Sequence, residues 1–186
     1  MAEHVCPWWF GYALASPVRR LFLSPEKLLG PYVKPGMNVL EIGPGMGFFT
    51  LPMAKLAGPA GKIIAVDIQQ KMLDNLQKRA RKAGLGEHIQ TRLSAPDVPA
   101  LSDLGGKIDF ALLFAVVHEV PDKKNLIEQV FFALKPDSRV LIADPRGHCA
   151  ESDFEQVVRM AQAMGFARES APQVRNSHTA LLRKTN

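Results

Sequence analysis

Glu41-Ile42-Gly43-Pro44-Gly45-Met46-Gly47 is the stretch on which the reading of this chain turns. Asn38 to Ile42 ahead of it is apolar enough for a buried strand. Gly47 to Leu56 behind it reads as a helix, with Pro52 early enough to be accommodated in the first turns. Gly43 and Gly45 let the backbone turn sharply and let a ligand approach without a Cβ in the way, and Gly47 lets the helix start close to the sheet. The spacing is G-x-G-x-G, followed by Phe48 and Phe49, so the dinucleotide pattern G-x-G-x-x-G is absent. No Lys-Ser/Thr pair follows the glycines either, which excludes a P-loop.

Lys62 to Asp67 is a second apolar strand, and Asp67 closes it 20 residues after Gly47. A carboxylate at that offset can accept both hydrogen bonds of a ribose diol. Glu41 puts a second carboxylate beside the glycine turn. Two acids repel a pyrophosphate and favour a ligand that carries an ammonium and a sulfonium.

Strands and helices alternate through the rest of the chain. Helices are expected over Gln69 to Ala83, stopped by Gly84, over Asp122 to Leu134, and over Glu151 to Met164, where Phe154, Val157, Val158, Ala161 and Met164 keep the helical period. Strands are expected over His88 to Leu93, with Ile89, Thr91 and Leu93 on one face, over Ile108 to Phe114, and over Ser138 to Ala143. Phe166 to Ala171 and His178 to Arg183 form the closing pair. Right-handed crossovers then require an α/β fold, a single Rossmann-like doubly wound sheet of about seven strands, mostly parallel with an antiparallel last strand. Ligands of such sheets lie beyond the carboxyl ends of the strands, after Ile42, Val66, Leu93, Phe114 and Ala143.

The first 36 residues differ in character, with Trp8, Trp9, Phe10 and Tyr12 crowded together and prolines throughout. Ser24 before Pro25 reads as the N-cap of a short helix. The expected organisation is an N-terminal helical lid or appendage over 1–36 and a ligand-binding domain over 37–186.

The net charge of +5 is mild, and Lys78, Arg79, Arg81 and Lys82 fall on the polar side of a predicted helix, which reads as a solvated face in preference to a nucleic-acid footprint. Cys6 and Cys149 make neither a zinc spacing nor a disulfide framework, so no metal is expected and a reducing cytoplasm is the default. No apolar run reaches the roughly 20 residues of a membrane span.

From Met37 onward the sequence resembles the class I S-adenosylmethionine-dependent methyltransferases. Their acid-x-G-x-G-x-G motif stands here as Glu41 to Gly47, and their ribose-binding acid as Asp67. The segment Phe114-Ala115-Val116-Val117-His118-Glu119-Val120-Pro121-Asp122 looks like the one after strand four in the small-molecule branch related to quinone-biosynthesis enzymes, and Leu134-Lys135-Pro136-Asp137 is a common feature before strand five. The resemblance implies S-adenosyl-L-methionine as cofactor, with S-adenosyl-L-homocysteine as product. Its implied cofactor-binding residues are Glu41, Gly43, Gly45, Gly47, Asp67, Ser94, Ala95 and Phe114. Ser94 and Ala95 stand where the family places its adenine contact, often an Asp; Asp97 lies just beyond.

Methyl transfer needs the acceptor held in line and a place for any proton that is lost. His118 is the candidate general base, with Glu119 to orient it or to bind a cationic acceptor. Asp144, Arg146, His148 and Cys149 follow the fifth strand at the same edge, and Arg146 could pair with an acidic substrate. The expected activity is methyl transfer to a small-molecule acceptor. An RNA or protein methyltransferase, or a non-catalytic protein that binds the cofactor, stands as the alternative. No Asn/Asp-Pro-Pro-aromatic signature for amino-group methylation follows strand four.

Overall fold

The computed structural model describes residues 22–95 and 101–185. The expected aromatic lid at Trp8 to Tyr12 lies outside the described residues, as does Asp97. The chain divides after Ser94 into two compact units.

The first unit opens with a short helix, α1 (Pro25–Leu29), whose Ser24 cap accepts the Lys27 amide as the sequence suggests. Then come β1 (Asn38–Ile42), α2 (Thr50–Ala57), β2 (Lys62–Asp67), α3 (Gln70–Lys82) and β3 (Ile89–Leu93). The strands run in the order β3-β2-β1, all parallel, with Val39 opposite Ile63 and Ile63 opposite Ile89. Ile63, Ile64, Ala65 and Val66 are buried without alternation, the pattern of a parallel strand covered on both faces. Met72, Leu73, Leu76 and Ala80 form the buried stripe of α3, and Gly84 stops the chain with a φ of 70°. Two expectations need correction here. Helix α2 starts at Thr50 instead of Gly47, because the positive φ angles of Gly45 and Gly47 hold residues 45–49 in turns. In β3, Ile89 alone of the expected face is buried and Leu93 is 51% exposed, since an edge strand offers little cover at its end.

The second unit contains β4 (Ile108–Phe114), α4 (Lys123–Ala133), β5 (Leu134–Pro145), α5 (Glu151–Ala163), β6 (Phe166–Ser170) and β7 (Ser177–Lys184). Its strand order is β4-β5-β7-β6. β4 and β5 are parallel, and β7 runs antiparallel to both β5 and β6. Asp122 caps α4 by accepting the Asn125 amide at 2.9 Å. Strand β5 is longer than the sequence suggests: it takes over from α4 at Leu134 and absorbs Pro136 and Asp137 in an irregularity between the Ile108–Leu134 and Phe110–Arg139 pairs. Phe110 to Leu113 and Val140 to Ala143 are buried, packed with Leu126, Ile127, Val130, Phe154 and Val158 in one core. Among the described residues, seven strands interleaved with helices, with β7 as the antiparallel member, match the doubly wound fold class read from the sequence.

Candidate functional site

The glycine turn is held by the end of β2. The Gly43 amide donates to the Val66 carbonyl at 2.9 Å, and the Gly45 amide donates to Asp67 Oδ2 at 3.3 Å. Asp67 Oδ1 accepts the Gln69 amide at 2.9 Å, so backbone amides from both sides orient this carboxylate. Asp67 is 9% exposed; burial raises its pKa, with the backbone amides of Gln69, Gly45 and Ile68 pulling the other way.

Glu41 is deeper, 2% exposed at the end of β1. Thr50, the first residue of α2, donates its hydroxyl to Glu41 Oε2 at 2.6 Å. Desolvation pushes the Glu41 carboxyl up to about 8, the Thr50 bond opposing the shift and the Asp67 charge adding to it.

Gly45 has a φ of 53° and nothing within 4 Å of where a Cβ would sit, which leaves open space above the turn. At Gly47, φ is 86° and a Cβ would lie 2.5 Å from Leu76 Cδ1, so the absent side chain is what lets the turn rest against α3. Arg79 of α3 donates to the Met46 carbonyl and fastens the turn from that side. One member of the basic cluster is thus structural. Sequence reasoning found neither Thr50 nor Arg79. Thr50 lies nine residues from its partner, with no pattern to mark it; Arg79 looked like any solvated helix charge.

The Ser94 amide donates to the Asp67 carbonyl at 3.0 Å, extending the β2–β3 pairing by one step, so Ser94 joins Glu41, Gly43, Gly45, Gly47 and Asp67 around one turn. Ala95 is exposed. Ala95, Phe114 and His118 belong to the second unit.

In that unit Phe114 ends β4 opposite Ala143 of β5. Ala115 follows with a φ of 55°, a left-handed conformation in an L-residue, while its amide still reaches the Ala143 carbonyl at 2.7 Å. The chain then makes a single 3₁₀ turn, Val117–Glu119, which carries His118. His118 Nδ1 lies 2.9 Å from Oδ1 of Asp144, the penultimate residue of β5 and 2% exposed. Glu119, expected to orient the ring, is 3.9 Å from Nε2, too far for a hydrogen bond; Asp144 does the orienting. Burial works against charging His118 and Lys123 opposes it too, yet the Asp144 hydrogen bond and the charges of Asp144 and Glu119 outweigh them and raise its pKa. The His148 ring stands 5.6 Å from that of His118. Cys149 is buried, and its thiol pKa is raised by burial and by Asp144 and Asp153. Among the described residues no group of three or more His, Cys, Asp or Glu could hold a metal ion, and no helix is long and apolar enough to cross a membrane.

Arg146 is exposed and lines a groove of about 620 Å³ with Glu151, Phe154, Arg168, Arg175 and His178. Arg168 is paired there with Glu155, one guanidinium nitrogen donating to both carboxylate oxygens at 2.9 and 3.0 Å.

Buried acids on the first two strands are set around a glycine turn with open space above it, at the carboxyl ends of the strands, where α/β sheets of this class hold their ligands. The chain belongs to the methyltransferase domain family, whose model matches residues 33–180. It is 33% identical over 112 residues to the demethylmenaquinone methyltransferase of Lactobacillus johnsonii, a match covering 60% of this chain and 45% of that protein. Nocamycin O-methyltransferase of Saccharothrix syringae is 28% identical over 135 residues, 73% of this chain and 45% of its own length. The matched part therefore spans less than half of each of these relatives. An S-adenosylmethionine-dependent methyltransferase structure from Aquifex aeolicus has the same fold, with a TM-score of 0.84 over 96% of this chain and 98% of that one, at 22% identity.

Proposed function

We propose that this protein transfers the methyl group of S-adenosyl-L-methionine to a small-molecule acceptor, with His118 as the group that accepts the acceptor's proton. One observation carries the cofactor reading: Glu41 and Asp67 are both buried beside a turn whose Gly45 amide is tied to Asp67 and whose Gly45 face is open. The residues present fit the cofactor, because a sulfonium and an ammonium offset the cost of keeping two carboxylates out of water. Glu41, Gly43, Gly45, Gly47, Asp67, Ser94, Ala95 and Phe114 are its proposed ligands. When bound, S-adenosylmethionine supplies a methyl carbon already activated for displacement. Asp67 orients the ribose through the lone pairs its amide partners leave free. Thr50 holds Glu41 still. His118, oriented by Asp144, takes the proton.

The small-acceptor reading draws support from the two relatives, which by their names act on demethylmenaquinone and nocamycin. The reaction is read as cytoplasmic, in keeping with the free thiol of Cys149. The test is incubation with methyl-labelled cofactor and a panel of quinols, phenols, thiols and amines, followed by mass spectrometry. A methylated small molecule with matching S-adenosylhomocysteine is expected. Cofactor binding without methyl consumption across the panel would make this a binding protein instead.

A further inference from the structure

We infer that the groove between the N-terminal half of α5 and the β6–β7 connection, residues 171–176, is a binding site for a small organic acid, with Arg146 taking its carboxylate and Pro172 and Val174 lining the place of its apolar body. All the walls of this groove lie in the second unit, and the inference does not depend on the methyltransferase reading.

The walls are fastened in place. Antiparallel pairing of β5 with β7 sets Asp144 opposite His178 and Pro145 opposite Ser177, which brings Arg146, just past the end of β5, beside the start of β7. The Arg146 amide donates to the Asn176 carbonyl at 2.9 Å, and the Ser177 amide donates to the Val174 carbonyl at 3.2 Å. Asn176 takes a φ of 55° at the third position of that turn, an angle asparagine tolerates better than most residues. Buried Thr179 donates its hydroxyl to the Pro172 carbonyl at 2.6 Å and holds the other end of the connection. On the α5 side, the His178 ring stacks on buried Phe154, with centroids 5.6 Å apart and planes 30° apart. These hydrogen bonds and the ring stack leave little to reorganise on binding, so contacts made to a ligand are not offset by ordering the walls.

The charges select the ligand. Arg146, Arg168 and Arg175 line the groove against Glu151 and Glu155. Arg168 and Glu155 neutralise each other through their paired contact. Arg146 and Arg175 then stand against Glu151, an excess of one positive charge. Arg146 is exposed, and its guanidinium has no side-chain partner among the described residues. One excess charge balances a carboxylate and leaves a dianionic phosphate half compensated. The guanidinium fork also matches a carboxylate with two parallel hydrogen bonds. Ser177 adds a hydroxyl whose bond to the Arg175 carbonyl, at 3.5 Å, is long enough to give way to a ligand. The volume of about 620 Å³ is far more than a bare ion fills and falls within the range of small-molecule sites, about 300–1,000 Å³. Ala171, Pro172 and Val174 line part of that space, so the fitting occupant is an acid with an apolar body.

The test titrates the full chain with 2-naphthoate and follows ¹H–¹⁵N NMR. Shifts should concentrate on the Arg146 side-chain Nε–H and on the amides of Asn176, Ser177 and His178, and should saturate with a Kd of about 1 mM or tighter. The neutral 2-naphthamide should bind about fivefold more weakly or worse. Arg146→Gln should weaken naphthoate by about fivefold or more, with Arg146→Lys restoring part of the loss, and Glu151→Gln should tighten it about twofold. Both positions are exposed, so none of these variants disturbs the core. Equal affinity for naphthoate and naphthamide overturns the acid. Unchanged affinity in Arg146→Gln, or shifts centred away from the groove, overturns the site. Tighter binding of 2-naphthyl phosphate at the same residues overturns the choice of carboxylate over phosphate. A response that never saturates is association with surface charge only and overturns the inference as a whole. Methyl transfer enters none of these readouts, so the methyltransferase reading stands or falls separately.

Discussion

The turns after β1 and after β4 both leave the carboxyl end of a buried strand, yet they are built in opposite ways. Backbone makes the first. Its glycines adopt positive φ angles that cost other residues energy, its amides are tied to Val66 and Asp67, and its two acids are held by Thr50 and by main-chain donors. Side chains make the second, where an L-residue carries the left-handed angle and the defining contact joins His118 to Asp144. The backbone-built turn has no room for a Cβ at Gly47 but leaves open space at Gly45. A side-chain-built turn tolerates backbone relief, and its chemistry is lost with one functional group.

The largest expected effect falls on the first turn. Asp67→Ala removes an oriented carboxylate that also anchors Gly45. Hydrogen bonds to a charged group are worth roughly 1.5–3 kcal/mol each, so S-adenosylhomocysteine binding by calorimetry should weaken by at least about tenfold. A change below about 1 kcal/mol would remove Asp67 from the ribose. Gly47→Ala comes next. The new Cβ must adopt φ 86° and displace fully buried Leu76, which should cost about 2–3 kcal/mol in urea unfolding. Loss of less than about 0.5 kcal/mol would mean that the turn yields easily.

Glu41 gives an effect of comparable size with a distinctive pH signature. Its folded pKa, about 8, lies above the ordinary 4.5, so the folded state binds the extra proton between those values. The stability tied to that proton is complete below the ordinary carboxyl value and drains away as pH rises towards 8. The free protein should therefore lose stability across that window, by an amount on the order of a few kcal/mol, and Glu41→Gln should flatten the curve. A cationic cofactor favours the ionised carboxyl. Preference for S-adenosylmethionine over S-adenosylhomocysteine, which lacks the sulfonium charge, should thus grow with pH through 8 in the wild type and stay level in Glu41→Gln. Parallel pH profiles for the two ligands would separate Glu41 from the sulfonium.

The same contrast explains what could be read from the sequence. Glycine spacing, the acid 20 residues on and the apolar periods of β1, β2 and α3 are local signals, and they located the first turn and the fold. Thr50, Arg79 and Asp144 act through contacts 9, 33 and 26 residues apart, which no local pattern encodes. Asp144 leaves one trace: a charge directly after the apolar run Val140 to Ala143. His118 is conspicuous because it follows a buried strand, but adjacency in sequence points to Glu119, which stands 3.9 Å from the ring. In a 3₁₀ turn neighbouring side chains point apart, and the strand beside it supplied the acid instead.

The smallest effect tests whether the second turn is indeed the more forgiving one. Ala115 holds φ 55°, which costs an L-residue about 1–2 kcal/mol, whereas glycine adopts it freely. Glycine also costs roughly 0.5–1 kcal/mol more to order, so Ala115→Gly should stabilise the protein by about 0.5 kcal/mol or leave it unchanged in thermal unfolding. The His118 titration should not move, because the amide of residue 115 still binds Ala143 and the Asp144 contact does not pass through the Ala115 side chain. A shifted titration with unchanged stability would show the opposite. The methyl group at 115 would then be holding the turn in place, and strain in the backbone would be part of what sets the base.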